Sequence, residues 1–334
     1  MATTDNAAPV LLVASGGGHL TQLDELAGRL VPRRPASWVT FDSAQSRELL
    51  AGREVDIVPY LAPRAYLGIL RMLPRAWRIL RARRPELVVS TGAGIALAFL
   101  PLARLFRIET HYIESATRAQ GPSMTGRVLA RVPGIRLHTQ HLRRADDRWT
   151  FVGSVFEGYE AVRTEPSPLR RAVVALGTME TYGFERLVKQ LLTILPPEID
   201  VVWQTGATDV SGLAIDARPS LPASELEAAI AQADVVIAHA GTGTALTCLR
   251  LGTRPILVPR RVALGEHVDD HQAQTAEYLS GLGLAAYHEA DEIELADLES
   301  ATGWRIQRHS DPAAIDLSRP TETPDISKAK RIAS

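Results

Sequence analysis

Three stretches set glycines beside hydroxyl or imidazole groups just after an apolar run, where backbone N–H groups can approach an anion closely. The fullest is His239-Ala240-Gly241-Thr242-Gly243-Thr244, which follows Val235–Ala238 and precedes an amphipathic segment reaching Leu251. Strand, turn and helix is the expected order, and the dipole at a helix start favours negative charge. Threonine hydroxyls at 242 and 244 add donors without adding charge, so the turn suits a diphosphate. Taken alone, it serves equally well as a tight turn. A second expected strand, Pro255–Val258, leads to Arg260-Arg261 and to the polar run Glu266-His267-Val268-Asp269-Asp270-His271-Gln272. In an open α/β sheet such loops beyond strand ends form the ligand side.

The other two turns lie in the first half of the chain. Ser15-Gly16-Gly17-Gly18-His19 follows the apolar run Val10–Ala14, and Ser90-Thr91-Gly92-Ala93-Gly94 closes another at Leu87 to Val89. The first lacks the spacing of a dinucleotide-binding fingerprint. Its adjacent glycines run into His19 instead of x-x-Gly, and Asp42 is only a rough match for the acidic residue expected later. His267 and His271 stand four apart, as zinc ligands do on one helix face, but no glutamate follows the first. Nicotinamide and zinc chemistry are both disfavoured.

These residues resemble the GT-B glycosyltransferases of the lipid-II and dolichol-linked N-acetylglucosaminyltransferase type, glycosyltransferase family 28-like enzymes. HAGTGTALTCLRLGTRPILVPRR followed by GEHVDDHQAQ is similar to their donor-binding half. SGGGH running into LTQL, then ESATR and PSMTG, is similar to their acceptor-binding half. Gly177-Thr178 with Phe184-Glu185-Arg186-Leu187-Val188, and Gln204-Thr205-Gly206, are family-like as well. The likeness runs over roughly residues 10–290.

The resemblance implies an α/β protein of two Rossmann-like, doubly wound domains facing across a cleft, acceptor half first. It assigns a UDP-sugar donor to Gly177, Thr178, Gln204, His239, Gly241, Thr242, Gly243, Thr244, Thr247, Arg260, Arg261, Glu266, Asp269, Asp270, His271 and Gln272. A polyprenyl-diphosphate-linked acceptor falls to Gly16, Gly17, Gly18, Ser90, Thr91, Gly92, Ala93, Gly94 and Arg118. His19 is the first candidate for the catalytic base, since an imidazole suits that task at neutral pH, and Glu114 is the second. Thr247 stands where many relatives carry a ribose-binding glutamate. Either that contact is weaker here or Glu266 takes it over. Inversion at the anomeric carbon and a role in surface polysaccharide assembly are implied in the same way. The sequence has no Asp-x-Asp metal clamp, so transfer without a metal or cofactor is expected, with the UDP-sugar as substrate. A UDP-sugar epimerase of the same fold, or a non-catalytic sugar-nucleotide-binding subunit, fits the same residues.

Length and composition agree. The 334 residues suffice for two cores, expected at 1–153 and 172–300. Residues 154–171, with Pro166 and Pro168, read as a linker, and 301–334 as a tail that is partly disordered or crosses back. A net charge of −1 excludes a globally basic protein, so nucleic acid is not an expected partner. The single cysteine, Cys248, excludes an intrachain disulfide and suits a reducing cytoplasm. No apolar run reaches the roughly 18–20 residues that span a bilayer. Pro59 to Pro85 lacks acids and carries arginines at 64, 71, 75, 78, 81, 83 and 84. Pro74 is expected in the first turn of a helix to about Arg83, with Leu70, Leu73, Trp77 and Leu80 on one stripe. That helix either packs its apolar side on the sheet or meets an anionic membrane surface, each arginine then contributing about 1 kcal/mol. The expected location is peripheral, on the cytoplasmic face of the cell membrane.

Overall fold

The computed structural model describes residues 9–30, 35–62, 65–178, 181–267, 270–308 and 312–317. Asp269, one of the expected donor contacts, lies outside them, as do Arg64 and the tail from 318 onward. The chain forms two compact units, one drawn from the residues up to Glu157 and from Pro312 on, the other Gly158–Asp311.

The first unit's strands are β1 (Val10–Ala14), β2 (Ala36–Phe41), β3 (Glu54–Val58), β4 (Leu87–Gly92), β5 (Glu109–Ile113), β6 (Arg136–Thr139) and β7 (Trp149–Phe151). They pair parallel in the order β3-β2-β1-β4-β5-β6-β7. The helices are α1 (Gly18–Ala27), α2 (Ala44–Leu49), α3 (Tyr66–Arg83), α4 (Gly94–Leu105) and α5 (Met124–Leu129). Helices cover a parallel sheet on both faces, which is why β1, VLLVA, is buried at every position. α4 is apolar almost all round and supplies Ile95, Phe99 and Leu100 to the core.

The second unit holds β8 (Tyr159–Arg163), β9 (Arg171–Ala175), β10 (Asp200–Gln204), β11 (Ala217–Arg218), β12 (Val235–Ala238), β13 (Ile256–Leu257), β14 (Ala286–Tyr287) and β15 (Trp304–Arg308). Six of them form a parallel sheet in the order β11-β10-β9-β12-β13-β14. Its helices are α6 (Glu185–Ile194), α7 (Ala223–Gln232), α8 (Thr242–Arg250), α9 (His271–Gly281) and α10 (Leu295–Ala301). β8 and β15 pair antiparallel as a separate ribbon. The segment expected as a linker therefore contains a strand. A second strand occupies 304–308, inside the segment expected as a tail.

α3 departs from its expected form. It begins at Tyr66, so Pro74 lies inside it. The residues it buries are Met72, Ala76, Ile79 and Leu80, while Leu70 and Trp77, expected on one stripe with Leu73 and Leu80, are 61% and 40% exposed. An apolar face thus remains in solvent with Arg71, Arg75, Arg78 and Arg81 beside it.

Residues 312–317 belong with the first unit through Arg29. This buried guanidinium donates to Ser154 O (2.7 Å), Ala313 O (3.0 Å) and Glu157 Oε2 (2.7 Å), while Ile315 N donates to Arg29 O (2.7 Å). Breaking a partly buried ion pair and orphaning two carbonyls is costly, so Arg29→Ala should lower the urea unfolding free energy by about 2–4 kcal/mol. An unchanged unfolding curve would show that the C-terminal segment is held without it.

Candidate active site

In both sheets the chain changes direction beside its first strand, between β1 and β4 in one unit and between β9 and β12 in the other. Ligands of doubly wound sheets bind beyond the carboxyl ends of the strands at that point. All three glycine turns fall there.

In the first unit the turns after β1 and β4 are neighbours because the strands are paired. Gly17, at φ 70°, leads into α1, and Ala93 into α4; no side chain caps either helix among the described residues. First-turn N–H groups of two adjacent helices are left as anion donors. Gln45 steadies the first turn by accepting from Gly17 N (2.7 Å). His19 crosses between the turns, its Nδ1 lying 2.7 Å from Thr91 O. A carbonyl only accepts, so Nδ1 carries the proton and Nε2 keeps its lone pair. Thr91 Oγ1 donates in return to His19 O (2.8 Å), and Ser90 Oγ accepts from Gly92 N (3.2 Å). Both hydroxyls brace the turn, which leaves the ligand to the backbone. Gly92, at φ 103°, lies against the imidazole; a Cβ there would stand 3.3 Å from His19 Cε1. Burial holds the His19 pKa below its usual 6.5, opposed by the Thr91 bond and by Glu114. The ring is neutral at pH 7.

Glu114 is buried at the end of β5. Its Oε1 accepts from Tyr112 OH (2.9 Å) and Ser115 N (3.2 Å), its Oε2 from Ser123 N (2.8 Å). Three donors thus already occupy its two oxygens. Of the two expected bases, only His19 offers an uncommitted basic atom, so Glu114 is better described as the organiser of the Ser123 turn. The charge of Arg118 acts on both His19 and Tyr112. Gln22 went unremarked in the sequence, although an amide on the sheet-facing side of a helix is a usable signal. Its Oε1 accepts from Ala116 N (2.8 Å) and Gln140 Nε2 (3.0 Å), and its Nε2 donates to Ser115 Oγ (3.0 Å). It fastens the Glu114–Arg118 turn to α1.

The second unit repeats the device in mirror order. His239 follows β12 and reaches back to β9, its N and Nδ1 both donating to Ala175 O (3.3 and 3.0 Å). Nε2 is again free of the proton. Burial, with the Arg260 charge adding to it, pushes its pKa down to about 3. Gly177, at φ 76°, packs on the ring, where a Cβ would come within 2.7 Å of Cε1; Gly241 crowds the same ring. α8 starts at Thr242 with no side-chain cap, leaving N–H groups of Thr242, Gly243 and Thr244 for an anion, and Thr247 is one turn further on.

Among the basic residues expected here, Arg260 and Arg261 part company. Arg260 is 1% exposed. Its Nη2 donates to Leu176 O (2.9 Å), its backbone N to Gln272 Oε1 (2.9 Å), and the guanidinium stacks 5.3 Å from the Phe184 ring. Nη1 is buried with no hydrogen-bond partner. Burial lowers its pKa to about 10, so it stays a cation at neutral pH. Arg261 turns away to Glu289 and Tyr287 OH (2.6 Å). Glu266 is held by Arg186 through both oxygens (3.1 Å each) and by Arg261 N (2.9 Å). Arg261 is thus paired with Glu289 on the side away from Arg260, and Glu266, the expected substitute for a ribose-binding glutamate, is paired with Arg186. Thr178 is exposed, Gln204 is buried at the end of β10, Asp270 accepts from Val262 N (3.4 Å), and His271 opens α9.

Residues 172–308 match the glycosyltransferase family 28 C-terminal domain. The UDP-N-acetylglucosamine--N-acetylmuramyl-(pentapeptide) pyrophosphoryl-undecaprenol N-acetylglucosamine transferase of Salinibacter ruber is 28% identical over 369 residues, 96% of each chain. The enzyme of that name from Xanthomonas oryzae pv. oryzae is 30% identical over 324 residues, covering 85% of this chain and 69% of its own. This chain belongs to glycosyltransferase family 28. Acinetobacter baumannii MurG superposes on the family 28 chain with a TM-score of 0.54 at 20% identity, over 88% of this chain and 89% of that one. The fold is GT-B, and the protein is a glycosyltransferase.

The buried imidazole of this family 28 enzyme has a consequence for stability. His239 is a base whose pKa is lower folded than unfolded, so between about 3 and 6.5 the unfolded chain binds the extra proton and stability rises with pH. Acidification from pH 6.5 to 5 should cost about 1.5 kcal/mol through this residue alone. His239→Gln should flatten the pH dependence of urea unfolding by that amount; an unaltered slope would mean that the ring is solvated.

Proposed function

We propose that this enzyme moves a sugar from a UDP-sugar to a polyprenyl-diphosphate-linked sugar, inverting the anomeric carbon, in the assembly of a bacterial surface polysaccharide. UDP-N-acetylglucosamine is the proposed donor, as the names of the relatives specify. The observation that carries the reading is the repeated device: each unit has a histidine bridging its switch point beside an uncapped helix start. One anion site per unit suits a reaction with two diphosphate-bearing substrates.

The chemistry follows from the residues. His19 Nε2 takes the proton of the acceptor hydroxyl as the oxygen attacks the anomeric carbon. The bond from that carbon to the UDP oxygen breaks, and the negative charge passes to the diphosphate. First-turn N–H groups and the dipole of α8 meet that charge, with the Arg260 cation beneath them. A metal has no required part in this scheme. His19→Ala should lower kcat by at least about a thousandfold while leaving the UDP Kd nearly unchanged. The acid limb of kcat/KM in the wild type should lie below pH 6.5, and a chelator should leave the rate unaltered. Donor isomerised with no label entering lipid would favour the epimerase alternative, and donor bound without turnover the binding-subunit alternative.

The acceptor's lipid tail brings in a membrane. No described helix is long and apolar enough to cross one. Tyr66, Leu67, Leu70 and Trp77 are exposed along α3 among arginines, a combination suited to the anionic cytoplasmic face. Leu67→Asp with Leu70→Asp should weaken sedimentation with phosphatidylglycerol vesicles by about tenfold or more and spare UDP binding.

A further inference from the structure

We propose that a second anion site on the first unit, at the amino ends of β5 and β6, binds the phosphate of an anionic phospholipid headgroup; this rests on the membrane reading of α3. A cavity of about 440 Å³ there is lined by Arg104, Arg107, Glu109, Gly134, Ile135 and Arg136. It lies at the opposite edge of the sheet from His19 and Gly92, so it is separate from the acceptor turn. α4 joins the two places, starting at Gly94 in that turn and ending at Leu105 beside the cavity. Its twelve residues span about 18 Å.

The cavity is built, not merely basic. The guanidinium of Arg104 lies flat on Gly134, which sits at φ 81°; a Cβ there would stand 2.7 Å from Arg104 Cζ. Arg104 Nε is buried and has no hydrogen-bond partner. Arg136 Nη1 donates to Glu109 Oε1 (2.8 Å) and to Leu317 O (3.1 Å), and His111 Nε2 shares the same carboxylate oxygen (3.1 Å). Glu109 is thereby matched to Arg136. Arg104 and Arg107 remain without a carboxylate among the lining residues, so the site is cationic. Offsetting the C-terminal dipole of α4 accounts for two arginines in that place. It accounts neither for the glycine shelf nor for the unpartnered Nε.

The cavity's border decides the class of ligand. Leu105 is 73% exposed beside it, and Phe106 packs edge-on against Trp77 at 4.4 Å, so the apolar face of α3 continues to the cavity mouth. A phosphate carrying acyl chains matches both surfaces, whereas a soluble phosphate uses only one. Held at this end, α4 would present its other end, the acceptor turn, at a fixed height above the lipid.

The test compares sedimentation of the full chain with vesicles of phosphatidylcholine alone and with vesicles enriched in phosphatidylglycerol. Arg104→Gln/Arg107→Gln should lose at least about tenfold more of the phosphatidylglycerol-dependent binding than Arg78→Gln/Arg81→Gln, which removes equal charge from the open face of α3. Glycerol phosphate should slow amide exchange near 104–109 and 134–136 in the wild type and not in the cavity variant. Equal losses in the two variants would reduce the cavity to diffuse electrostatics and overturn the proposal. Protection by glycerol phosphate with equal vesicle binding would also overturn it, in favour of a soluble-anion site. Failure of the α3 reading is distinct: the wild type would then ignore both kinds of vesicle, and the lipid assignment would fall with it.

Discussion

An imidazole N–H donated to a strand-end carbonyl across the switch point is the interaction on which the arrangement of both units depends. Two turns that are distant in sequence must stand at a fixed separation if their helix starts are to act on one anion. His19 does this from the turn after β1 to Thr91, and His239 from the turn after β12 to Ala175. A flat ring fills the gap, and the glycines beside it are then obligatory, because Gly92, Gly177 and Gly241 face the rings where any Cβ would crowd them. The same bond fixes the tautomer and points an unprotonated nitrogen outward. Position, backbone freedom and chemistry are set together.

Much of this was legible because it is local. Apolar runs such as VLLVA and VVIA announce buried parallel strands, and a glycine turn after each announces the ligand edge. α3 was harder. Met72, Ala76, Ile79 and Leu80 form one helical stripe, and Tyr66, Leu70 and Trp77 another beside it. Periodicity identifies an apolar helix but cannot rank two adjoining stripes. The narrow one, with Ala76 at its centre, suits close packing on α4, and the wider aromatic one is left outside. Strands of two residues such as β11 and β14 carry no period at all.

Pairings of polar and charged side chains were not legible, for a related reason. Arg186 reaches Glu266 across 80 residues, and Gln22 reaches Gln140 across 118. Nothing near Glu266 in sequence reveals that its carboxylate is spoken for, so a free ribose contact was a fair expectation. The adjacent arginines 260 and 261 show the same limit. Successive side chains beyond a strand end point to opposite sides, one into the unit under the glycine turn and one out to Glu289.

The two bridging histidines share a geometry but not a chemistry, and the difference lies in their surroundings. Both are buried, and burial alone would make both weak bases. At His19 the buried Glu114 carboxylate opposes that effect, and it would also stabilise the imidazolium formed once the ring has taken a proton. At His239 the nearby charge is instead a cation, Arg260, and the pKa falls to about 3. A ring that weakly basic collects no proton at neutral pH, so His239 is confined to holding the turn and accepting hydrogen bonds. In the proposed reaction, the cation that adds to this effect of burial is the one beneath the departing diphosphate. In that proposed reaction one fold motif, with a carboxylate behind one ring and a guanidinium behind the other, separates proton removal from leaving-group stabilisation.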